Sequence, residues 1–173
     1  MPARDEREMR TASEVKAVEE AARIKKDFKK RDEKIPVTRV SHVGIVVRDI
    51  YDALSAFDGL FGFVKDVHVE NLTEQGVRVA IIVLGGTELE FIQPIQPGTG
   101  VAKFLELRGE GLHHVSLEVD DIEETLRNVG SKGAKLIDKE PWHGVRGKTA
   151  FIHPSSLHGV LVELDEPNAV SDE

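Results

Sequence analysis

No cysteine occurs among the 173 residues. Disulfides, thiolate metal ligands and cysteine nucleophiles are therefore excluded, and any metal site must draw on His, Asp, Glu, Asn, Gln or water. No apolar run approaches the roughly 20 residues that a membrane helix needs, so no membrane partner is expected. The N-terminus lacks the apolar stretch of a secretory signal and is too acidic for a typical mitochondrial transit peptide. Together with the missing cysteines this fits a cytoplasmic protein. Positive charge is scarce over most of the chain. Residues 1–36 carry 11 basic and 9 acidic residues, whereas the remainder carries 12 and 22, a net charge of −10 beyond residue 36. A body that acidic lacks the clustered positive charge that phosphate backbones require, which argues against nucleic acid as a partner.

What is present divides into an arm and a body. Residues 1–36 have few large apolar residues and no glycine. Thr11-x-x-Glu14 reads as a capping box that opens a helix, and Ala17, Ala21, Ile24 and Phe28 recur at helical spacing along one thin apolar stripe. Pro36 ends it. From Thr38 the texture changes. Val40–Val47 is β-branched and short, a strand. Asp49 caps a helix over Ile50–Phe57, which Gly59 and Gly62 break. Strands follow at Lys65–Glu70, Val77–Leu84 and Glu88–Ile92, the last two joined by Gly85-Gly86. A short helix over Val101–Leu107 leads to a second cycle: strand Leu112–Val119, an Asp121-capped helix Ile122–Ser131, and strands near Ala134–Ile137, Thr149–His153 and Gly159–Leu164. The expected organisation is an extension over 1–36, a βαβββ module over 37–97, a linker over 98–111, a second βαβββ module over 112–168 and a tail over 169–173.

The two cycles match residue by residue. A shift of 72 places His42 on His114, Val43 on Val115, Val47 on Val119, Asp49 on Asp121 and Leu54 on Leu126. Near the end of each cycle the shift is 73, and Gly86-x-x-x-Glu90-x-x-x-Pro94 falls on Gly159-x-x-x-Glu163-x-x-x-Pro167. Each module thus contributes one histidine from its first strand and one glutamate from its last. Similar modules pair about a pseudo-two-fold axis, so His42, Glu90, His114 and Glu163 are expected to converge as a two-nitrogen, two-oxygen site. That donor set suits one divalent ion, whether Zn, Co, Ni, Fe or Mn, with water completing the sphere. Strand parity puts Glu88 on the same face as Glu90, and the repeat register selects Glu90. Parity puts His113 and His114 on opposite faces, and the register selects His114. None of the other histidines is assigned to the site: His68 is expected in solvent, His143 sits in a glycine-rich loop from which it could reach a ligand, and His153 and His158 flank a turn and read as structural.

These stretches resemble the methylmalonyl-CoA epimerase family of the vicinal oxygen chelate (glyoxalase/bleomycin resistance/dioxygenase) superfamily. The likeness rests on His42-Val43-Gly44-Ile45, Leu84-Gly85-Gly86-Thr87-Glu88-Leu89-Glu90, Gly109-Glu110-Gly111-Leu112-His113-His114, Phe151-Ile152-His153-Pro154 and Gly159-Val160-Leu161-Val162-Glu163-Leu164, and it spans about residues 39–166. It implies an α+β fold in which the two tandem modules form one curved mixed sheet around a metal cleft, preceded by the helical arm. It implies the same four metal ligands, a small acyl-CoA substrate and a homodimer. The implied reaction interconverts (2R)- and (2S)-methylmalonyl-CoA by removing the proton alpha to the thioester and returning it on the other face, with a metal-stabilised enolate between. The family gives the position of Glu163 a catalytic role besides ligation. Lys103, Arg108, Arg146 and Lys148 are loop or helix-end cations that read first as solvated surface charges and, as the alternative, as contacts for the phosphates of CoA. One position departs: some members carry a glutamate base where this chain has Val79, so a symmetrical two-base picture does not transfer. Lactoylglutathione lyase, a metal-free sequestering protein and a ring-cleaving dioxygenase are the alternatives on the same fold.

Overall fold

The computed structural model describes residues 11–29, 37–62, 67–144 and 146–168. Pro36, the opening of the expected strand Lys65–Glu70, the tail over 169–173 and the side chains of Ile24 and Phe28 lie outside the described residues. The chain forms two units, residues 1–34 and residues 35–173. In the first, helix α1 spans Ala12–Lys29. The capping box forms: the Thr11 amide donates to Glu14 Oε2 at 2.7 Å, and the Glu14 amide donates to Thr11 Oγ1 at 3.4 Å.

The second unit is built on one mixed sheet of eight strands, curled as the resemblance implied. Its elements are β1 (Val37–Val46), α2 (Ile50–Phe61), β2 (Val69–Leu72), β3 (Val77–Leu84), β4 (Thr87–Pro94), α3 (Gly100–Arg108), β5 (Gly111–Val119), α4 (Ile122–Ser131), β6 (Trp142–His143), β7 (Gly147–Ile152) and β8 (Val162–Pro167). The strand order is β2-β3-β4-β1-β5-β8-β7-β6. Each half runs β-α-β-β-β, and in each the first strand pairs parallel with the last, β1 with β4 and β5 with β8. The halves meet along an antiparallel β1–β5 seam. There Val43 pairs with its own repeat-mate Val115, so the pseudo-two-fold axis passes between these two residues.

Local chemistry sets the elements. Asp49 Oδ1 accepts from the amides of Tyr51 and Asp52 at 2.9 and 3.0 Å, and Asp121 Oδ1 accepts from Glu124 at 2.7 Å. Helix α2 runs through Gly59 and stops at Gly62, whose φ of 64° is a left-handed cap. One face of the sheet packs on α2 through Ile50, Leu54, Ala80, Ile82 and Phe91, and on α4 through Ile122, Leu126, Ala150, Ile152 and Leu164. Helix α3 lies against β1 and β4, where Val101, Phe104 and Leu105 cover Val77, Val79 and Ile92.

Three strands of the sequence reading move. The described part of the strand expected at Lys65–Glu70 begins at Val69 and continues to Leu72. The strand expected near Ala134–Ile137 reduces to a single bridge, Leu136 to Ile152. Asp138 is the cause: its side chain takes the Phe151 amide at 2.8 Å, so a carboxylate replaces the backbone partner that would extend the ladder. The second module draws its edge strand instead from β6. The strand expected from Gly159 starts at Val162, because His158 and Gly159 have φ of 53° and 93° and are spent in a turn.

Candidate metal centre and active site

His42 stands on β1, Glu90 on β4, His114 on β5 and Glu163 on β8, one group on each of four adjacent central strands. The register aligns them: Gly44 of β1 lies between Glu90 on one side and His114 on the other, and Glu163 pairs with Ser116. The structure brings all four side chains together. His42 Nε2 and His114 Nε2 are 3.0 Å apart. Glu163 Oε2 lies 2.9 Å from His114 Nε2 and 3.5 Å from His42 Nε2, while Glu90 Oε2 lies 3.8 and 3.5 Å from the same atoms. His42, His114 and Glu163 are buried and Glu90 is half-buried.

Gly44 makes the approach possible. A Cβ on residue 44 would overlap the imidazole of His114, which lies across the bare backbone of β1. The repeat places Ser116, another small residue, at the equivalent position in β5.

Electrostatics follow from burial and from the pairings. Burial alone would raise Glu163, but the hydrogen bonds from His114 and His42 prevail and hold it down to about 2. Burial raises Glu90, reinforced by the charge of Glu163. Burial works to lower His42, yet the hydrogen bond and charge of Glu163, with the charge of Glu90, leave it raised. The four groups thus form one cluster of carboxylates and imidazoles whose titrations are coupled.

Two imidazole nitrogens and two carboxylates fit a divalent ion. Neighbouring donors at about 2.1 Å from an ion stand roughly 3.0–3.4 Å from one another, and the observed separations of 2.9–3.8 Å bracket that range. A second acidic group, Asp121, Glu123 and Glu166, is already satisfied: Lys148 Nζ lies 2.9 Å from Glu123 and 3.2 Å from Glu166, and Glu166 Oε2 accepts from the Ile122 amide.

The four groups line a cavity of about 890 Å³. Val77, Val79, Ile92 and Phe104 form an apolar wall, and Lys103 and Arg108 on α3 are exposed cations at its edge. Of the other cations offered to CoA, Arg146 lines the cavity and is ion-paired with Glu88, while Lys148 is tied to Glu123 and Glu166. His143 is exposed and does not line the cavity, although its neighbour Trp142 does. His68 is exposed, as expected, and His153 accepts from the Ser155 amide to open the 3-10 turn at Pro154–Ser156.

Residues 41–152 match the family model for the glyoxalase/bleomycin resistance protein/dioxygenase superfamily. The methylmalonyl-CoA epimerase of Dictyostelium discoideum, a mitochondrial protein, is 33% identical over 77% of this chain and 81% of its own length. The chain belongs to this superfamily, in the kinship of the methylmalonyl-CoA epimerases. An uncharacterized Bacillus subtilis member, YqjC, is 39% identical over 76% of this chain and 94% of its own. Among solved members, a variant of the Streptomyces coelicolor methylmalonyl-CoA epimerase in complex with 2-nitronate-propionyl-CoA superposes with a TM-score of 0.71. It is 32% identical, and the match covers 79% of this chain and 99% of its own. Val79 is buried in the apolar wall and pairs with Ile92 across β3 and β4.

One expectation about this family site is corrected. His113 and His114 do not face opposite sides. The seam has a register shift between Gly44 and Ile45, where β5 advances by two residues for one of β1. Such a bulge turns successive side chains to the same side, and both histidines line the cavity. Burial, and then the charge of His114, push His113 down to about 4. The reading also missed Gly44, Ser41 and Asp165. Ser41 Oγ donates to Asp165 Oδ2 at 3.0 Å and stands 3.4 Å from His42 Nδ1. For Gly44 a signal existed, the small-residue pair that it forms with Ser116. For Asp165 there was none, since its repeat-mate is Ile92.

Proposed function

We propose that this protein is a methylmalonyl-CoA epimerase, with His42, Glu90, His114 and Glu163 as ligands of one divalent ion (Co, Mn, Zn, Ni or Fe) and Glu163 as general base. The observation that carries the reading is the convergence of two imidazoles and two carboxylates, one from each of four adjacent strands, in the wall of a cavity large enough for an acyl-CoA head. A divalent ion held there supplies the positive charge that a developing enolate oxygen requires.

The chain's own groups do the rest. Glu163 is ionised and therefore in the form that accepts a proton. The hydrogen bonds that depress it come from the imidazole Nε2 atoms, the same atoms this reading commits to ligation, so the depression belongs to the metal-free site. Val77, Val79, Ile92 and Phe104 keep water from one side of the reacting carbon. Lys103 and Arg108 line the cavity, and in this reading they meet the phosphates of CoA. The second proton donor is not Val79; Glu90, whose pKa burial raises, or a bound water takes that role in this reading. No helix among the described residues is long and apolar enough to cross a membrane. A cytoplasmic homodimer acting in propionate metabolism completes the reading.

Proton NMR of (2R)-methylmalonyl-CoA in D2O, with protein and added Co(II) or Mn(II), tests it. The expected result is rapid loss of the alpha-proton signal with inversion, read by a stereospecific coupling enzyme. Deuteration without inversion would mean one working base. An alpha proton untouched with every divalent ion would sink the epimerase reading.

A further inference from the structure

Each site histidine is backed at Nδ1 by the residue that precedes it. Ser41 Oγ stands 3.4 Å from His42 Nδ1, and His113 Nδ1 stands 2.9 Å from His114 Nδ1. Residues 41 and 113 are related by the same shift of 72 that relates the two histidines. Ordinary strand alternation would send each preceding side chain to the opposite face. Register shifts between Val40 and Val43, and between Gly44 and Ile45, break that alternation on both arms of the seam. The repeat therefore extends beyond the four converging groups to the residues behind them, with unlike chemistry in the two halves. Ser41 relays to the buried carboxylate of Asp165. His113 packs edge-on against Phe104, with ring centroids 4.8 Å apart at 85°.

An imidazole that gives Nε2 to an ion keeps its one proton on Nδ1. In His114 that proton points at His113 Nδ1. The 2.9 Å contact is then a hydrogen bond with His113 as acceptor, its own proton on Nε2. We propose that His113 is a positioning residue for the metal centre, fixing His114 in the tautomer and ring orientation that present Nε2 to a divalent ion. The inference rests on the reading of His42, Glu90, His114 and Glu163 as ligands of one ion. Nδ1 partners of this kind raise the basicity of a ligand and hold its plane, and their removal typically weakens metal binding by about 10–100-fold.

Two variants separate positioning from packing. His113→Phe keeps a ring against Phe104 and removes the acceptor. His113→Asn gives up the ring and returns an amide oxygen close to where Nδ1 stood. Both, with the wild type, are stripped of metal, checked for fold by circular dichroism and thermal melting, and titrated with Co(II) alone by calorimetry and visible absorption. The expected result is Co(II) binding weakened about 10–100-fold in His113→Phe and largely recovered in His113→Asn. In the Co(II)-loaded wild type, proton NMR in H2O should show two hyperfine-shifted exchangeable N–H signals, one per ligand imidazole. His113→Phe should keep only one of them sharp, because the His114 proton then exchanges with solvent. A folded His113→Phe that binds Co(II) like the wild type and keeps both signals would overturn the inference and leave the metal reading standing. A folded His113→Asn as weak as His113→Phe would also overturn it, assigning the residue to packing. Failure of the wild type itself to bind Co(II) would remove the metal reading, and this inference with it.

Discussion

At the scale of single residues, the site depends as much on an absent side chain as on the present ones. The imidazole of His114 occupies the space that a Cβ on residue 44 would fill. Gly44→Ala must therefore move the ring or the strand. Overpacking of this kind costs about 1–3 kcal/mol, and Co(II) binding should fall with it. Urea unfolding and a Co(II) titration check both, and a variant equal to the wild type in both would show that the ring has another place to go. Charge gives a second residue-scale prediction. Glu163 titrates near 2 in the fold against 4.5 for the free side chain. A depressed carboxyl contributes stability that is complete above the unfolded value and is lost as pH falls from about 4.5 toward 2. The metal-free protein should therefore lose stability along that acid limb, and Glu163→Gln should flatten the limb while lowering stability near neutral pH. Melting temperatures between pH 2 and 6 read the difference, and parallel curves for the two proteins would contradict it.

At the scale of elements, what was legible is what local chemistry decides. Asp49 and Asp121 cap their helices as the sequence implied, and both belong to the repeat. Asp49→Ala should cost about 1 kcal/mol through two lost amide hydrogen bonds. Its carboxylate serves α2 rather than the site, so turnover should be retained while the melting temperature drops. A loss of turnover out of proportion to the loss of stability would instead tie α2 to the site. The bulges on the β1–β5 seam escaped the sequence reading, because alternation of apolar and polar residues does not encode an extra residue in one strand. That is why His113 was assigned to the wrong face and Ser41 went unnoticed. The strand near Ala134–Ile137 failed for a related reason. A side chain, that of Asp138, took a backbone partner, and nothing in strand propensity reports such a substitution.

At the scale of the whole molecule, the internal repeat made the convergence of His42, Glu90, His114 and Glu163 legible in the sequence. Two copies joined along their first strands must bring equivalent positions together at the seam, and Val43 opposite Val115 shows that they do. The same arrangement makes the site a joint product, since each half supplies one histidine and one carboxylate. Separate production of residues 37–97 and 98–168 tests how far the halves depend on one another. Each fragment exposes a seam strand, β1 or β5, with unpaired backbone groups that favour association. Neither fragment alone holds more than two of the four donors. Each should bind Co(II) far more weakly than the full chain, and an equimolar mixture should recover the full-chain absorption spectrum as β1 and β5 pair. Co(II) binding by one fragment at full-chain strength would mean that its own histidine and glutamate suffice, and the shared-site account of the repeat would have to be abandoned.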